Sequence, residues 1–159
     1  MQILLPRKIR RKMRRDILRA GRREIGGMLM GEEVGAQKFR VVDFSVDTDS
    51  GSAVHFVRDS EGHERALHEF FQKTGEQFRR YNYLGEWHTH PCFDIQPSRK
   101  DVCSMQDLVD QSDGVDFAVL FIARVNWLLC FQCNAYLFFR HNEPVKIDVL
   151  FESNKRTRS

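Results

Sequence analysis

Two apolar stretches, Asp116 to Ala123 and Trp127 to Phe139, limit what this chain can become. Each reads as a strand rich in β-branched and aromatic residues, and only Arg124-Val125-Asn126 separates them. Strands this apolar are covered on both faces, so other layers of secondary structure have to pack against them. No apolar run reaches the ~18–20 residues of a membrane span, and Met1 to Pro6 is too short for the core of a signal peptide. A soluble cytoplasmic protein with no membrane partner is the expectation.

At 159 residues there is room for one core, so we expect a single domain over 1–159. Ile9, Met13, Ile17 and Ala20 recur at helical spacing and Gly21 is placed to stop the chain, which predicts a helix over about 7–20. Ile25 to Val34 and Phe39 to Val46 read as a hairpin. Asp47 to Ser52 reads as a loop, Ala53 to Arg58 as a short strand, and a turn containing Gly62 follows. A second helix is expected over His63 to Tyr81, weakened in its middle by Gly75, and then a strand over Tyr83 to His90 that Pro91 ends. A third helix spans Ser98 to Gln111, with Ser98 as N-cap and Asp101 three positions on. Val145 to Phe151 makes a last strand, and the tail 152–159 is expected to fray. The fold class is α/β, a mixed central sheet with helices on both faces.

The net charge of +3 hides a strong asymmetry. Residues 7–23 hold ten Arg or Lys against one acid, Asp16, so this segment carries +9 and the remainder −6. The plain reading is a helix laid on the core with its arginines solvated. The sharper one is an anionic partner, although no aromatics interleave with the arginines to stack bases, so nucleic acid is disfavoured. Four cysteines without an export signal read as reduced thiols. Cys130-x-x-Cys133 has metal-like spacing but falls in a strand-like run, where positions three apart face opposite ways, so a structural role is expected.

Chemistry concentrates in Gly85-Glu86-Trp87-His88-Thr89-His90-Pro91. Side chains two apart on a strand share a face, so His88 and His90 can reach one Zn²⁺, though a bare His-x-His is more often packing or surface. Asp101, in the first turn of the next helix, can point back as a third ligand. Two His, one Asp and an open fourth position describe a catalytic zinc site, one ion per chain. Ser98 brings a hydroxyl beside it. Glu24, before Ile25-Gly26-Gly27, is the candidate to take a proton from the bound water, with pairing to Arg22 or Arg23 as its plain alternative. Glu86 shares the histidine face, placed to orient a ligand, to meet substrate, or simply to be solvated.

Together these residues resemble the JAMM motif of the JAB/MPN metallopeptidases: a glutamate, then His-x-His, seven residues, Ser, two residues and Asp. Here they are Glu24, His88-Thr89-His90, the seven residues Pro91 to Pro97, and Ser98-x-x-Asp101. The resemblance covers about residues 20–135. It implies His88, His90 and Asp101 as zinc ligands with water as the fourth, Glu24 as general base and then acid, and Ser98 steadying the oxyanion. It further implies hydrolysis of an amide bond after the extended C-terminal tail of ubiquitin or a ubiquitin-like protein. Eukaryotic deubiquitinases of the family carry long insertions and commonly Trp where Glu86 stands. This compact chain is more similar to bacterial members, especially those found beside E1/E2-like ligases in type II CBASS anti-phage operons. That likeness implies a conjugated cyclic-nucleotide synthase (CD-NTase) as substrate and the ligase as functional partner. A JAMM protease acting on a sulfur-carrier protein keeps the same residues. A zinc nucleobase deaminase is disfavoured, because its Pro-Cys-x-x-Cys is missing: residue 95 after Pro91-Cys92 is Ile, and Cys130-x-x-Cys133 lacks the preceding Pro. A non-catalytic scaffold and a nucleic-acid module using the basic helix are the rivals from other classes.

Overall fold

The computed structural model describes residues 1–47, 60–111 and 114–153. Its elements are β1 Gln2–Pro6, α1 Arg7–Ala20, β2 Gly26–Gly35, β3 Lys38–Phe44, α2 Ser60–Lys73, β4 Tyr81–Thr89, α3 Arg99–Gln111, β5 Phe117–Val125, β6 Phe131–Phe139 and β7 Val145–Glu152. The strands run in the order β1-β3-β2-β4-β5-β6-β7. β1 pairs in parallel with both β3 and β7, which closes the sheet on itself. β4 and β5 are also parallel, while β2–β3, β2–β4, β5–β6 and β6–β7 are antiparallel. The fold is therefore a mixed-sheet α/β fold, as the sequence implied.

The inner face gathers Ile3 and Leu5, Leu29, Val41, Trp87, Val119, Phe121, Ala135 and Ile147, so every strand contributes to one cluster. α1 completes it through Ile9, Met13 and Ile17, one buried residue per turn. Each large apolar side chain sealed there contributes about 1.5–3 kcal/mol. On the outer face Met105 and Val109 of α3 pack on Leu120, Ile122 and Phe138, while Phe70 of α2 packs on Met28 and Met30. Helices do cover both faces.

Four elements differ clearly from expectation, each for a local reason. β1 was not anticipated, since five residues ending in proline give little periodicity, yet Ile3 and Leu5 are fully buried. α2 begins at Ser60, so Gly62 is helical rather than in a turn. It stops at Lys73 because Gly75 takes φ 65° and the Glu76 N–H returns to Phe71 O at 2.8 Å. Gly75 is thus a terminator, not a weak middle. β6 begins at Phe131, not Trp127, because Asn126 builds a turn: its side-chain oxygen accepts from the Cys130 N–H at 2.9 Å. Glu152, expected in the frayed tail, closes β7 and binds Arg40 at 3.1 Å. The expected strand 53–58, most of the loop before it and the tail from 154 lie outside the described residues.

Candidate metal centre

β4 carries different chemistry on its two faces. Trp87 points inward, meets Phe44 edge-on at 5.1 Å and donates its indole N–H to Ser45 O at 2.8 Å. Glu86 and His88 take the other face and are buried, as is His90 just past the strand end. Gly85 lets β4 and β5 come this close: its φ is 151°, and a Cβ there would overlap the Val119 backbone.

His90 keeps the line of the strand because its N–H donates to Ala123 O at 3.1 Å. The chain then turns so that Asp94 O lies 2.7 Å from His90 Nδ1. A carbonyl only accepts, so Nδ1 carries the hydrogen and Nε2 presents its lone pair. The loop is tied to the sheet by Arg124 Nη1 donating to Phe93 O at 2.9 Å and Asn134 Nδ2 donating to Ile95 O at 2.8 Å. It delivers Ser98 to the start of α3 in a reciprocal cap. The Ser98 N–H donates to Asp101 Oδ2 at 2.7 Å, and the Asp101 N–H donates to Ser98 Oγ at 3.1 Å. Such a cap stabilises a helix by about 1 kcal/mol and fixes the carboxylate's direction.

That direction is toward the histidines. Nε2 of His88 and Nε2 of His90 are 3.0 Å apart, and Asp101 Oδ2 lies 3.6 and 3.8 Å from them. Bonds of about 2.0–2.1 Å at tetrahedral angles put ligand atoms roughly 3.3 Å apart, and these separations bracket that value. Burial lowers the pKa of His88 to about 4; the Asp101 charge opposes this and His90 adds to it. A neutral imidazole is the form that binds metal. Two imidazole nitrogens and a carboxylate oxygen, buried and converging, suit Zn²⁺. Among the described residues this is the one group of three or more His, Cys, Asp or Glu close enough to hold an ion.

Glu86 is buried rather than solvated, and burial, aided by the Asp101 charge, raises its pKa to about 8. Glu24 is half-buried in the segment leading into β2. Gly26 pairs with His88, the Thr89 N–H donates to Ile25 O at 2.9 Å, and the Ile25 N–H donates to Thr89 Oγ1 at 3.0 Å. That register sets the Glu24 backbone beside His90. Among the described residues Glu24 makes no ion pair with Arg22 or Arg23, or with any other group. Sequence reasoning missed the Thr89 clasp and the Asp94 carbonyl. A backbone carbonyl leaves no residue-type signal, whereas Thr89 between the histidines was visible but unread. Cys92 and Cys103 are exposed and stand outside the cluster. Cys130 is exposed in the turn and Cys133 packs against the inner core, so that pair does not converge.

A mixed α/β domain presenting a buried His-His-Asp centre at one end of β4 is the class defined by this geometry. The model of the family described as prokaryotic homologs of the JAB domain matches residues 6–139, and the chain belongs to that family. No curated protein sequence matches it. Among solved structures it is similar to the solution structure of protein DSY2949 from Desulfitobacterium hafniense, with a TM-score of 0.69 and 18% identity over 96% of this chain and 94% of that one. At that identity the likeness speaks for the fold. Among the described residues no helix is long and apolar enough to cross a membrane.

Proposed function

We propose that the protein is a zinc-dependent peptidase of the JAMM type, cutting the amide bond that follows the C-terminal tail of a conjugated protein. The carrying observation is the convergence of His88, His90 and Asp101, all buried, whose ligand atoms lie 3.0–3.8 Å apart in a domain of this family. These three residues would hold the ion. When bound, zinc supplies a water of lowered pKa and polarises the scissile carbonyl. Glu24, half-buried ahead of β2, would serve as the base that accepts a proton from the attacking water and returns it to the departing amine. Ser98 Oγ already accepts from the Asp101 N–H, so its own hydrogen is left to donate to the developing oxyanion. Burial of the ligands excludes competing water and strengthens each of these interactions.

For substrate we favour a CD-NTase conjugated through its C-terminus in bacterial anti-phage defence, with an E1/E2-like ligase making the bond. The support is the compact motif with Glu86, together with membership in the prokaryotic family. The test is cleavage of ubiquitin and CD-NTase C-termini, each fused to a small reporter protein, by wild type and Glu24→Ala. Cutting of the CD-NTase fusion alone, abolished by chelator and by Glu24→Ala, is the expected result. Cutting of neither by zinc-loaded protein would redirect the substrate to a sulfur-carrier tail, and metal-independent cutting would end the zinc reading.

A further inference from the structure

Three bulky apolar side chains sit where the core does not use them. Trp127 is 86% exposed, and Leu128 and Leu129 are 59% and 56% exposed, in a chain that buries Trp87, Phe121 and Phe138 completely. The tip that carries them is held in place. The Leu129 N–H donates to Asn126 O at 2.9 Å and the Asn126 N–H to Cys130 O at 3.0 Å. Arg14 of α1 reaches across to donate from Nε to Leu129 O at 3.1 Å. Leu129 is kept at φ 59°, a left-handed conformation that glycine or asparagine adopts more easily. An exposed leucine held in such a backbone is evidence for use rather than packing.

The tip also stands at the metal centre's end of the sheet. β5 runs parallel to β4 with Ala123 opposite Thr89, and the turn begins three residues later, on the order of 10 Å beyond. Phe93, 66% exposed and tied to Arg124, lies on the loop that follows His90. Leu18, 43% exposed, is one turn past Arg14 on the part of α1 that leads to Glu24. Arg14, which binds the tip, belongs to the segment 7–23 that carries +9.

We propose that this corner is where the protein substrate docks. The tip Trp127-Leu128-Leu129 with Phe93 and Leu18 seats an apolar patch of a folded partner, and the α1 arginines meet carboxylates that border that patch. The proposal rests on the peptidase reading for what is docked. Charge selects this occupant over a second copy of the chain, because a two-fold contact would press two basic helices together. Trp127 and Phe93 are its two aromatic faces, and the leucines Leu18, Leu128 and Leu129 set among them favour an apolar protein patch over a single-stranded RNA platform.

The test measures binding of the uncleaved ubiquitin and CD-NTase fusions to Glu24→Gln protein by fluorescence anisotropy, with and without Trp127→Ser or Leu129→Gly. In the Glu24 background, kcat and KM are measured on the fusions and on a short peptide carrying the same tail. Each tip variant should weaken binding of the cognate fusion by about tenfold or more and raise its KM, leaving kcat and peptide cleavage unchanged. Leu129→Gly should keep or raise Tm, which separates docking from misfolding. Unchanged affinity, no affinity for either fusion, or equal loss on peptide and fusion overturns the proposal. So does self-association that Trp127→Ser abolishes in sedimentation, or binding of an RNA oligonucleotide in place of the fusions. Tip-dependent binding without cleavage would instead sink the peptidase reading and leave the docking surface standing.

Discussion

Two short motifs of metal-like spacing lie at the same end of the sheet and fold to different outcomes. His88-x-His90 spans the end of β4, where a period of two puts both rings on one face, and a capped helix then brings Asp101 to meet them at 3.6 and 3.8 Å. Cys130-x-x-Cys133 straddles the boundary between a turn and β6, leaving one sulfur exposed and the other packed on the inner core. Spacing therefore acquires chemical meaning only through the element that carries it. The histidine pair also gains a third donor from a distant helix, which the cysteine pair lacks.

The sharpest way to break this contrast is to remove the third donor. Asp101→Ala, or His88→Ala with His90→Ala, should abolish stoichiometric zinc and bring cleavage to background, whereas Cys130→Ser with Cys133→Ser should keep about one zinc per chain. Metal analysis of protein purified without added zinc decides it; zinc retained by the histidine double variant would remove the site. Next in size is Glu24→Gln, which should keep zinc while lowering kcat by about 10²–10⁴-fold. Ser98→Ala should follow with a loss of roughly 10²-fold, accompanied by about 1 kcal/mol of helix capping seen in denaturant unfolding. If Ser98→Ala costs stability alone, its hydroxyl serves the cap and not the reaction.

Much of this was legible beforehand, for physical reasons that differ between regions. α1 falls over the residues expected because Ile9, Met13 and Ile17 repeat at its period and Gly21 ends it at φ 66°. The reciprocal cap of Ser98 and Asp101 was equally readable, being local chemistry over three residues. The turn at Trp127 to Cys130 was not, because apolar residues there imitate a strand while Asn126 alone dictates the reversal. Closure of the sheet was also invisible, since it depends on β1 pairing with residues more than 140 positions away at β7. Glu86 illustrates a half-legible residue: strand parity gave its face correctly, but only the packing around it shows that it is buried.

The smallest expected effect sharpens the cysteine half of the comparison. Burial pushes the Cys133 thiol from its ordinary 9 up to about 12, against a lowering influence from Arg10, whereas Cys130 is exposed. The thiolate is the reactive form, so iodoacetamide at about pH 8 should label Cys130 in the folded protein and spare Cys133. Between pH 9 and 12 the unfolded chain releases the Cys133 proton while the folded one retains it. The folded state then binds more protons, so stability falls as pH rises through that window. Lysines and tyrosines titrate there too, so the informative quantity is the difference between wild type and Cys133→Ser in denaturant unfolding across these pH values. That difference should favour wild type most below pH 9 and shrink toward pH 12. A gap independent of pH would mean that Cys133 ionises as freely in the fold as in the unfolded chain.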